Sequence, residues 1–567
     1  FKYHRPRGVM TAGSEEPNAL MTIYRSGSQE PNTRATVQPL YDGLVAQPQN
    51  AWPSLRFDAL GVNDFLSPFL STGFYYKTFM WPRGFWERVY EPFIRRAAGL
   101  GALADVYDHV LYEKAFAHCD LLVIGAGPSG LMAALTAGRA GLDVILADEN
   151  NCLGGRLLSE VEEVGAVAGH IWVDSVLAEL MGLSNVQIMA DTTVTGAYDQ
   201  GTYGALERVG HHLDVVPAGL PLETFWRITA KRAILCAGAL ERQVAFPDND
   251  RPGIMTASGM RSYLNRYGVS PGQKIAVFGN NSDAHRTARD FAQAGIEVVA
   301  MIDSREGVAD KADYPIYAGA NVVGSSGRFG LRSITIRQNG IIKTIKCDAL
   351  GVSGGWNPSV HLTCHMNGRP VWDPRLASFL PQKGAIPGMS VAGAAAGTMS
   401  TAGALAQGYE MALSAAKDLG KRPKAFNLPS AEDVPYEIEP LWNVGGKGRA
   451  WLDFQNDVTT KDVKQAAQEN FSSVEHMKRY TTQGMATDQG KNSNVMALAV
   501  LADATGRGIP ETGTTTFRPP YVPVAMAALG AGGHGKGFAP ERLLTSDAAT
   551  RELQAPMVEA GLWDRPS

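Results

Sequence analysis

At 567 residues, 45% hydrophobic and 19% charged, the chain has the composition of a globular protein too long for one core, and about two to four domains are expected. A net charge of −4 supplies neither a basic face for nucleic acid nor a polybasic patch for a membrane. No apolar run reaches membrane-spanning length.

The N-terminus reads FKYHRPRG, which is not a signal-peptide pattern, and its Phe start implies residues upstream; a cytoplasmic location is expected. Residues 1–100 contain no cysteine. The first strong signal is CDLLVIGAGPSG at 119–130, where an apolar run, Asp120 to Ile124, drops into a glycine turn and then a helix, LMAALTAGRAG. Gly125 permits the tight turn, Gly127 lets backbone approach a pyrophosphate, and Gly130 lets helix and strand pack closely. The helix start around Ser129 offers unpaired amides to an anion. A second strand, DVILA, ends in Asp148, Glu149 and Asn150. Asp148 lies eighteen positions beyond Gly130, where a carboxylate accepts hydrogen bonds from the adenosine ribose.

The following NNCLGGRLL places Gly155 and Arg156 in a GG turn that resembles the one approaching the pyrophosphate in two-dinucleotide-domain flavoproteins. By the same resemblance Val194 sits on the strand whose backbone meets adenine. Ala237 and Gly238, in AKRAILCAGALER, belong to the return strand passing near the cofactor. A second nucleotide-type unit begins at KIAVFGNNSDAHR. Its first glycine, Gly279, is present, but Asn281 and Ala284 stand at the second and third positions. Side chains there crowd a pyrophosphate, so the unit is expected to be kept for its shape. His285 is expected on the surface of its helix. The last segment of this region, GMSVAGAAAGTMSTAGALAQGYEMALSAA, runs from strand to helix, with Gly393, Ala394, Met399 and Thr401 at the far end of the site. Flavin-binding relatives carry Gly-Asp at this turn, the Asp bonding the ribityl chain; Ala394 removes that partner and tilts the cofactor from FAD to NAD.

Three further segments, FKYHRPRGVMTAGSEEPNAL, VFGNNSDAHR and VEHMKRYTTQGMATDQGK, resemble in order and spacing the α subunits of heterotetrameric sarcosine oxidases, and the resemblance runs over essentially the whole chain. It implies an α/β, glutathione-reductase-like fold of two dinucleotide-binding domains, flanked by a ferredoxin-like domain and a small helical domain. The implied boundaries are 1–100 (ferredoxin-like), 101–435 (NAD-binding, with the second unit at about 245–350 inserted), 436–500 (small helical) and 501–567, a linker towards a folate-binding domain that is absent. In the wider group both flanking domains hold [2Fe–2S] clusters. Here Thr36 replaces a ligand cysteine in NTRATVQP, and Asp453, Gln455, Asp488 and Ser493 occupy the four ligand positions of the helical domain. These side chains cannot replace thiolates around iron, so both domains are expected to be folded without clusters.

The resemblance further implies that catalysis belongs to a partner β subunit carrying FAD and FMN, with small γ and δ subunits completing a heterotetramer. NAD on this chain would be a held, non-reacting ligand, with no catalytic residue and no metal. The expected net reaction is oxidative demethylation of sarcosine or a related secondary amino acid to glycine, a one-carbon unit and hydrogen peroxide, with tetrahydrofolate involved only where the folate domain is present. The competing readings are an FAD-bearing subunit of an amine or opine dehydrogenase, and a scaffold with an empty site.

Weaker signals are set aside. The five cysteines include no CxxC, and Cys119, Cys236 and Cys347 border apolar strands, reading as buried thiols. HLTCH groups His361, Cys364 and His365 at metal-like spacing but in a turn-rich context. GTTTFRPPYVPV (513–524) reads by default as a proline-rich linker, although its threonines and Arg518 could meet a phosphate. GAGGHGKG (530–537) lacks the hydroxyl residue of a P-loop and reads as a flexible turn.

Overall fold

Strand Leu111–Ile124 is the spine of the larger nucleotide unit. Its first half alternates between exposed and covered residues, and its last four, Leu121 to Ile124, are buried. That change marks the point where a half-solvated strand enters a sheet covered on both faces. It pairs in parallel with Val144–Ala147 and with Pro221–Leu235, Leu235 lying opposite Ile124. The computed structural model describes residues 3–82, 84–98, 101–104, 106–308, 311–485, 488–531 and 541–567.

The sheet has seven strands. Val186–Met189 flanks Val144–Ala147, while Thr202–Arg208 and Thr192–Ala197 continue it antiparallel beyond Pro221–Leu235, and Met389–Val391 adds in parallel to the latter. Helices Pro128–Arg139 and Thr401–Asp418 lie together on one face, their small residues allowing close approach. The second unit is a parallel five-stranded sheet, in the order Ile254–Thr256, Ala349–Ser353, Lys274–Gly279, Glu297–Asp303 and Ile316–Ala318. It carries helix Ser282–Gln293 and an antiparallel three-stranded sheet, Ala320–Ser326, Ser333–Gln338 and Ile341–Lys346. Each unit closes on its own apolar cluster.

At the N-terminus, strands Leu20–Arg25, Ser28–Arg34 and Val45–Pro48 form a small antiparallel sheet. Thr36 donates its hydroxyl to the Gly13 carbonyl at 2.6 Å, so the position read as a lost cluster ligand is occupied by a local bond. Residues 52–107 follow with an unusual run of exposed apolar side chains, among them Phe65 (85% exposed), Trp81 (82%) and Leu103 (88%). The helical domain pairs Trp451–Asp453 with Val458–Thr459 and packs helices Thr460–Gln468, Val474–Thr481 and Asn494–Thr505 around Leu452, Val463, Met477 and Leu498. Asp453, Gln455, Asp488 and Ser493 are all buried in it. The Asp453 carboxylate accepts from the Asn456 and Gly484 amides, each at 2.8 Å, and Gln483 donates to Ser493 Oγ at 2.7 Å.

The expected linker over 501–567 differs. Helix Asn494–Thr505 crosses residue 500, and the tail forms a small sheet of Arg542–Leu543, Trp563–Pro566 and Met557–Ala560. The P-loop-like stretch lies, from residue 532 onward, outside the described residues. Among the described residues no helix is long and apolar enough to cross a membrane.

Candidate functional site

The turn that sequence singled out has the geometry its glycines suggest. Gly125 adopts φ +97°, and a Cβ there would meet the Cys236 carbonyl at 2.5 Å. Gly127 has an ordinary φ of −74°, yet nothing lies within 4 Å of where its Cβ would be. It needs no side chain for backbone reasons; it leaves space. Helix Pro128–Arg139 begins there with Pro at its first turn and no side chain capping its N-terminus. Its first amides are therefore left for a ligand. Gly130 packs directly beneath, where a Cβ would collide with the Gly125 carbonyl.

This turn opens into a cavity of 670 Å³. Gly125, Gly127, Ser129, Asp148, Glu149, Asn150, Gly155, Arg156, Val194, Ala237, Gly238, Gly393, Ala394 and Met399 all line it. Gly130 and Thr401 do not. The former shapes the turn from below, and the latter bonds through its hydroxyl to Glu162. Glu162 in turn pairs with Arg286 and lies 3.6 Å from Arg156, whose Nη1 donates to the Met399 carbonyl at 2.7 Å. Thr401 and Arg156 thus brace the same wall.

The two acids at the strand end divide their work. Asp148 accepts from the Ala126 amide at 2.6 Å and from the Asn150 amide at 2.8 Å, tying the glycine turn to the next loop. Glu149 accepts from Ser14 Oγ at 3.1 Å, a residue of the N-terminal region. Arg208 fixes this corner by donating to the Glu149 carbonyl at 2.8 Å and to Asp191 at 2.9 Å.

The second unit is closed by the protein itself. Asn281 Oδ1 caps helix Ser282–Gln293, accepting from the Asp283 amide at 3.0 Å and the Ala284 amide at 3.3 Å. Asn281 Nδ2 donates to Ser353, and the Ser282 amide donates to the Glu437 carbonyl at 2.9 Å. The amides that a phosphate would take are used. The acid ending the second strand, Asp303, is equally engaged, with His285 Nε2 at 2.7 Å and Arg305 Nη2 at 2.8 Å. Burial alone would raise the Asp303 carboxyl, but the bonds from His285 and Arg305 hold it below the ordinary range. His285 is therefore not on the helix surface as expected. It is buried at 4% exposure, because a hydrogen-bonded carboxylate removes the cost of burying an imidazole.

Sequence reasoning missed the residues that reach the cavity from far away in the chain. Besides Ser14 these include Tyr436, His361 and Tyr521, together with Arg286, Arg289 and Arg305 from the second unit. His361 and Tyr521 stack with ring centroids 3.2 Å apart and planes 9° from parallel, and burial holds the His361 imidazole well below its usual range. HLTCH forms the short helix His361–His365, but its three side chains do not converge as metal ligands. Among the described residues the one grouping of that kind is Glu30, His211 and Glu223. There Arg25 already bonds Glu30 and the His211 carbonyl, so the carboxylate charge is answered by a guanidinium.

Among the cavity's side chains the thiol is Cys236, which burial pushes up to about 12; it accepts weakly from Ser129 Oγ at 3.5 Å. Such a group is a neutral thiol at physiological pH and not a nucleophile. The cavity is built to hold: glycine backbone, an uncapped helix end, a carboxylate at one extremity and alanine at Ala394.

One open and one self-filled nucleotide unit, the first on a mixed sheet with a parallel core and the second on a parallel sheet, define a two-dinucleotide-domain fold of the oxidoreductase class. The chain belongs to the pyridine nucleotide-disulphide oxidoreductase family, whose model matches residues 119–408. A sarcosine oxidase A3 domain model matches residues 447–533, and a 2Fe-2S iron-sulfur cluster binding domain model matches residues 1–51, a segment without cysteine. The chain is 48% identical over its full length to sarcosine oxidase subunit alpha of Rhizobium meliloti (strain 1021), and 35% identical over 99% of its length to that of Corynebacterium sp. (strain P-1). It spans 58% and 56% of those relatives' own lengths. The resemblance read from the sequence is thus borne out along the whole chain. Among solved structures, L-proline dehydrogenase from P. horikoshii shares the fold at a TM-score of 0.59 and 21% identity, over 76% of this chain and 86% of that one.

Proposed function

We propose that the chain is the dinucleotide-holding α subunit of a sarcosine oxidase-like complex, with NAD as a fixed ligand. The observation that carries this reading is the contrast between two helix N-termini. That of Pro128–Arg139 is uncapped and opens into the cavity, while that of Ser282–Gln293 is filled by Asn281 and the 437–439 backbone. With one cradle open and one self-filled among the described residues, a single bound dinucleotide is the simplest reading, and it has no second coenzyme on this chain to exchange hydride with.

Gly125, Gly127 and the Ser129 turn would hold the pyrophosphate, with Glu149 at the adenosine ribose and Val194 beside adenine. Gly238, where nothing lies within 4 Å of a Cβ position, leaves room along the chain of the ligand. Ala394 favours NAD over FAD because it offers no acceptor for ribityl hydroxyls. When free to react, NAD accepts hydride; here the residues around it orient and enclose. Amine oxidation is assigned to a partner β subunit bearing FAD and FMN, in a heterotetramer with γ and δ subunits. There sarcosine, dioxygen and water would give glycine, formaldehyde and hydrogen peroxide, or 5,10-methylenetetrahydrofolate would form where folate captures the one-carbon unit. The exposed apolar run over 52–107 supports a life in complex with other chains.

The test is to denature the purified chain, identify the released nucleotide by mass spectrometry and assay the chain alone. Stoichiometric NAD, no flavin and no sarcosine oxidation without partners is the expected result. Released FAD, with turnover by the isolated chain, would instead establish the amine or opine dehydrogenase reading.

A further inference from the structure

The two regions whose cluster positions carry no cysteine touch through several contacts, such as Tyr3 with Asp457 and Thr72 with Asp462, and one of their junctions lies at the end of the cavity marked by Glu149 and Val194. From the N-terminal side, Ser14 bonds Glu149, and Arg34 bonds the Ser14 carbonyl. From the helical domain, Asn492 donates to the Glu15 carbonyl at 2.7 Å, joining the two regions directly. The strap leaving that domain is tied back to it: Asn494 donates to Thr515 Oγ1 at 2.8 Å and Gln489 to the Arg518 carbonyl at 2.8 Å. The strap then runs onto the nucleotide sheet, where the Tyr521 amide donates to the Thr195 carbonyl at 2.8 Å. The Tyr521 ring enters the cavity wall and stacks on His361.

Behind it lies Lys491. Its ammonium is 4.0 Å from the Tyr521 ring centroid, is buried, and has no hydrogen-bond partner among the described residues. Its charged neighbours are Arg34, Glu149, Asp488 and Glu15, drawn from three regions of the chain. Burial, and next the charge of Arg34, pull this ammonium down to about 8, while Glu149, Asp488 and Glu15 favour it; the geometry nonetheless gathers groups from three regions around a lysine that rests on the Tyr521 ring.

We propose that the ferredoxin-like and helical domains act together as a lock on the adenosine end of the cavity, with Ser14, Lys491 and Tyr521 as the residues that stop the dinucleotide from exchanging. The inference rests on the reading of the cavity as a dinucleotide site. It assigns these domains a positioning role: Ser14 sets the Glu149 carboxylate, Tyr521 covers the adenosine, and Lys491 holds Tyr521 and Glu149 in register. The lock would explain why a small sheet and a helical domain are retained without the thiolates of a cluster.

The experiment measures exchange of the bound nucleotide with radiolabelled NAD in the purified protein, alongside thermal unfolding. Wild type is expected to exchange little within hours. Ser14→Ala, Lys491→Met and Tyr521→Leu should speed exchange at least tenfold, while Lys491→Arg and Tyr521→Phe stay near wild type. A purely structural role predicts that exchange follows the melting temperature across the series, including Lys231→Ala on the remote surface. Folded Ser14→Ala and Tyr521→Leu proteins exchanging at the wild-type rate would overturn the lock, whether or not Lys491→Met folds. A wild-type protein that releases no dinucleotide on denaturation would overturn the reading of the cavity itself, and this inference with it.

Discussion

Asp148 holds the amide of Ala126 across the mouth of the glycine turn, carboxylate oxygen to nitrogen at 2.6 Å, with the acid 9% exposed. The residue expected to meet a ribose is thus first of all a strut of the loop that receives the pyrophosphate. Replacing it with Ala leaves the Ala126 and Asn150 amides without their acceptor, at a cost of about 1–3 kcal/mol for each buried donor not rescued by water. Asp148→Ala should lower the midpoint of denaturant unfolding and also reduce bound nucleotide. Chemical denaturation and nucleotide content measured on the same preparation check both.

Gly127 offers the complementary experiment. Its φ is accessible to any residue and no atom obstructs a Cβ, so Gly127→Ala should fold with a loss of about 1 kcal/mol or less at this helix N-cap, relative to the nucleotide-stripped parent. Its side chain would occupy the ligand's space, and nucleotide recovered after denaturation should fall by at least tenfold. Unchanged nucleotide content would remove the pyrophosphate from this turn.

Glu241 gives stability a pH dependence of definite sign. It is fully buried and accepts from the Ser258 amide at 2.7 Å; burial, and next the charge of Asp283, push its carboxyl up to about 7. A carboxyl raised in the folded state favours folding while protonated. Its contribution is whole below the ordinary carboxylate range and is lost as pH rises through about 7. The loss amounts to about 3 kcal/mol, from the displacement between folded and unfolded chains. Glu241→Gln should flatten the decline in unfolding free energy between pH 5 and pH 8, and should be the more stable protein at the upper end. Parallel slopes for the two proteins in urea titrations across that range would refute the assignment.

The thiols give a simple count. Cys152 is exposed, and Cys119, Cys236, Cys347 and Cys364 are buried, each raised by burial to about 11 or 12. A disulfide reagent should modify one cysteine rapidly in the native chain and all five in denaturant. Rapid reaction of a second would mean that one of the strand-edge thiols opens.

The open nucleotide unit was legible because its chemistry is local. Strand, glycines, helix and acid fall within thirty-two consecutive residues, Cys119 to Asn150, and their spacing alone fixes the turn. The closing of the second unit was legible for a related reason, since side chains at 281 and 284 stand where glycine is needed. What filled that space was not, because Glu437 and Ser353 arrive from distant segments. Ser14 is separated from Glu149 by 135 positions, and Tyr521 from His361 by 160, so no periodicity could announce them. His285 was misread for a different cause: a polar residue beside other polar residues on a helix looks solvated until the carboxylate that receives it is known.

The self-filled unit also constrains any path to a second bound coenzyme. Placing glycine at positions 281 and 284 would strip the cap from helix Ser282–Gln293 while Asp303 stayed claimed by His285 and Arg305 and the Glu437 carbonyl stayed on the Ser282 amide. Each single change to glycine loses stability before any binding is gained. The second unit is fenced off by its own contacts, and opening it would take several simultaneous changes.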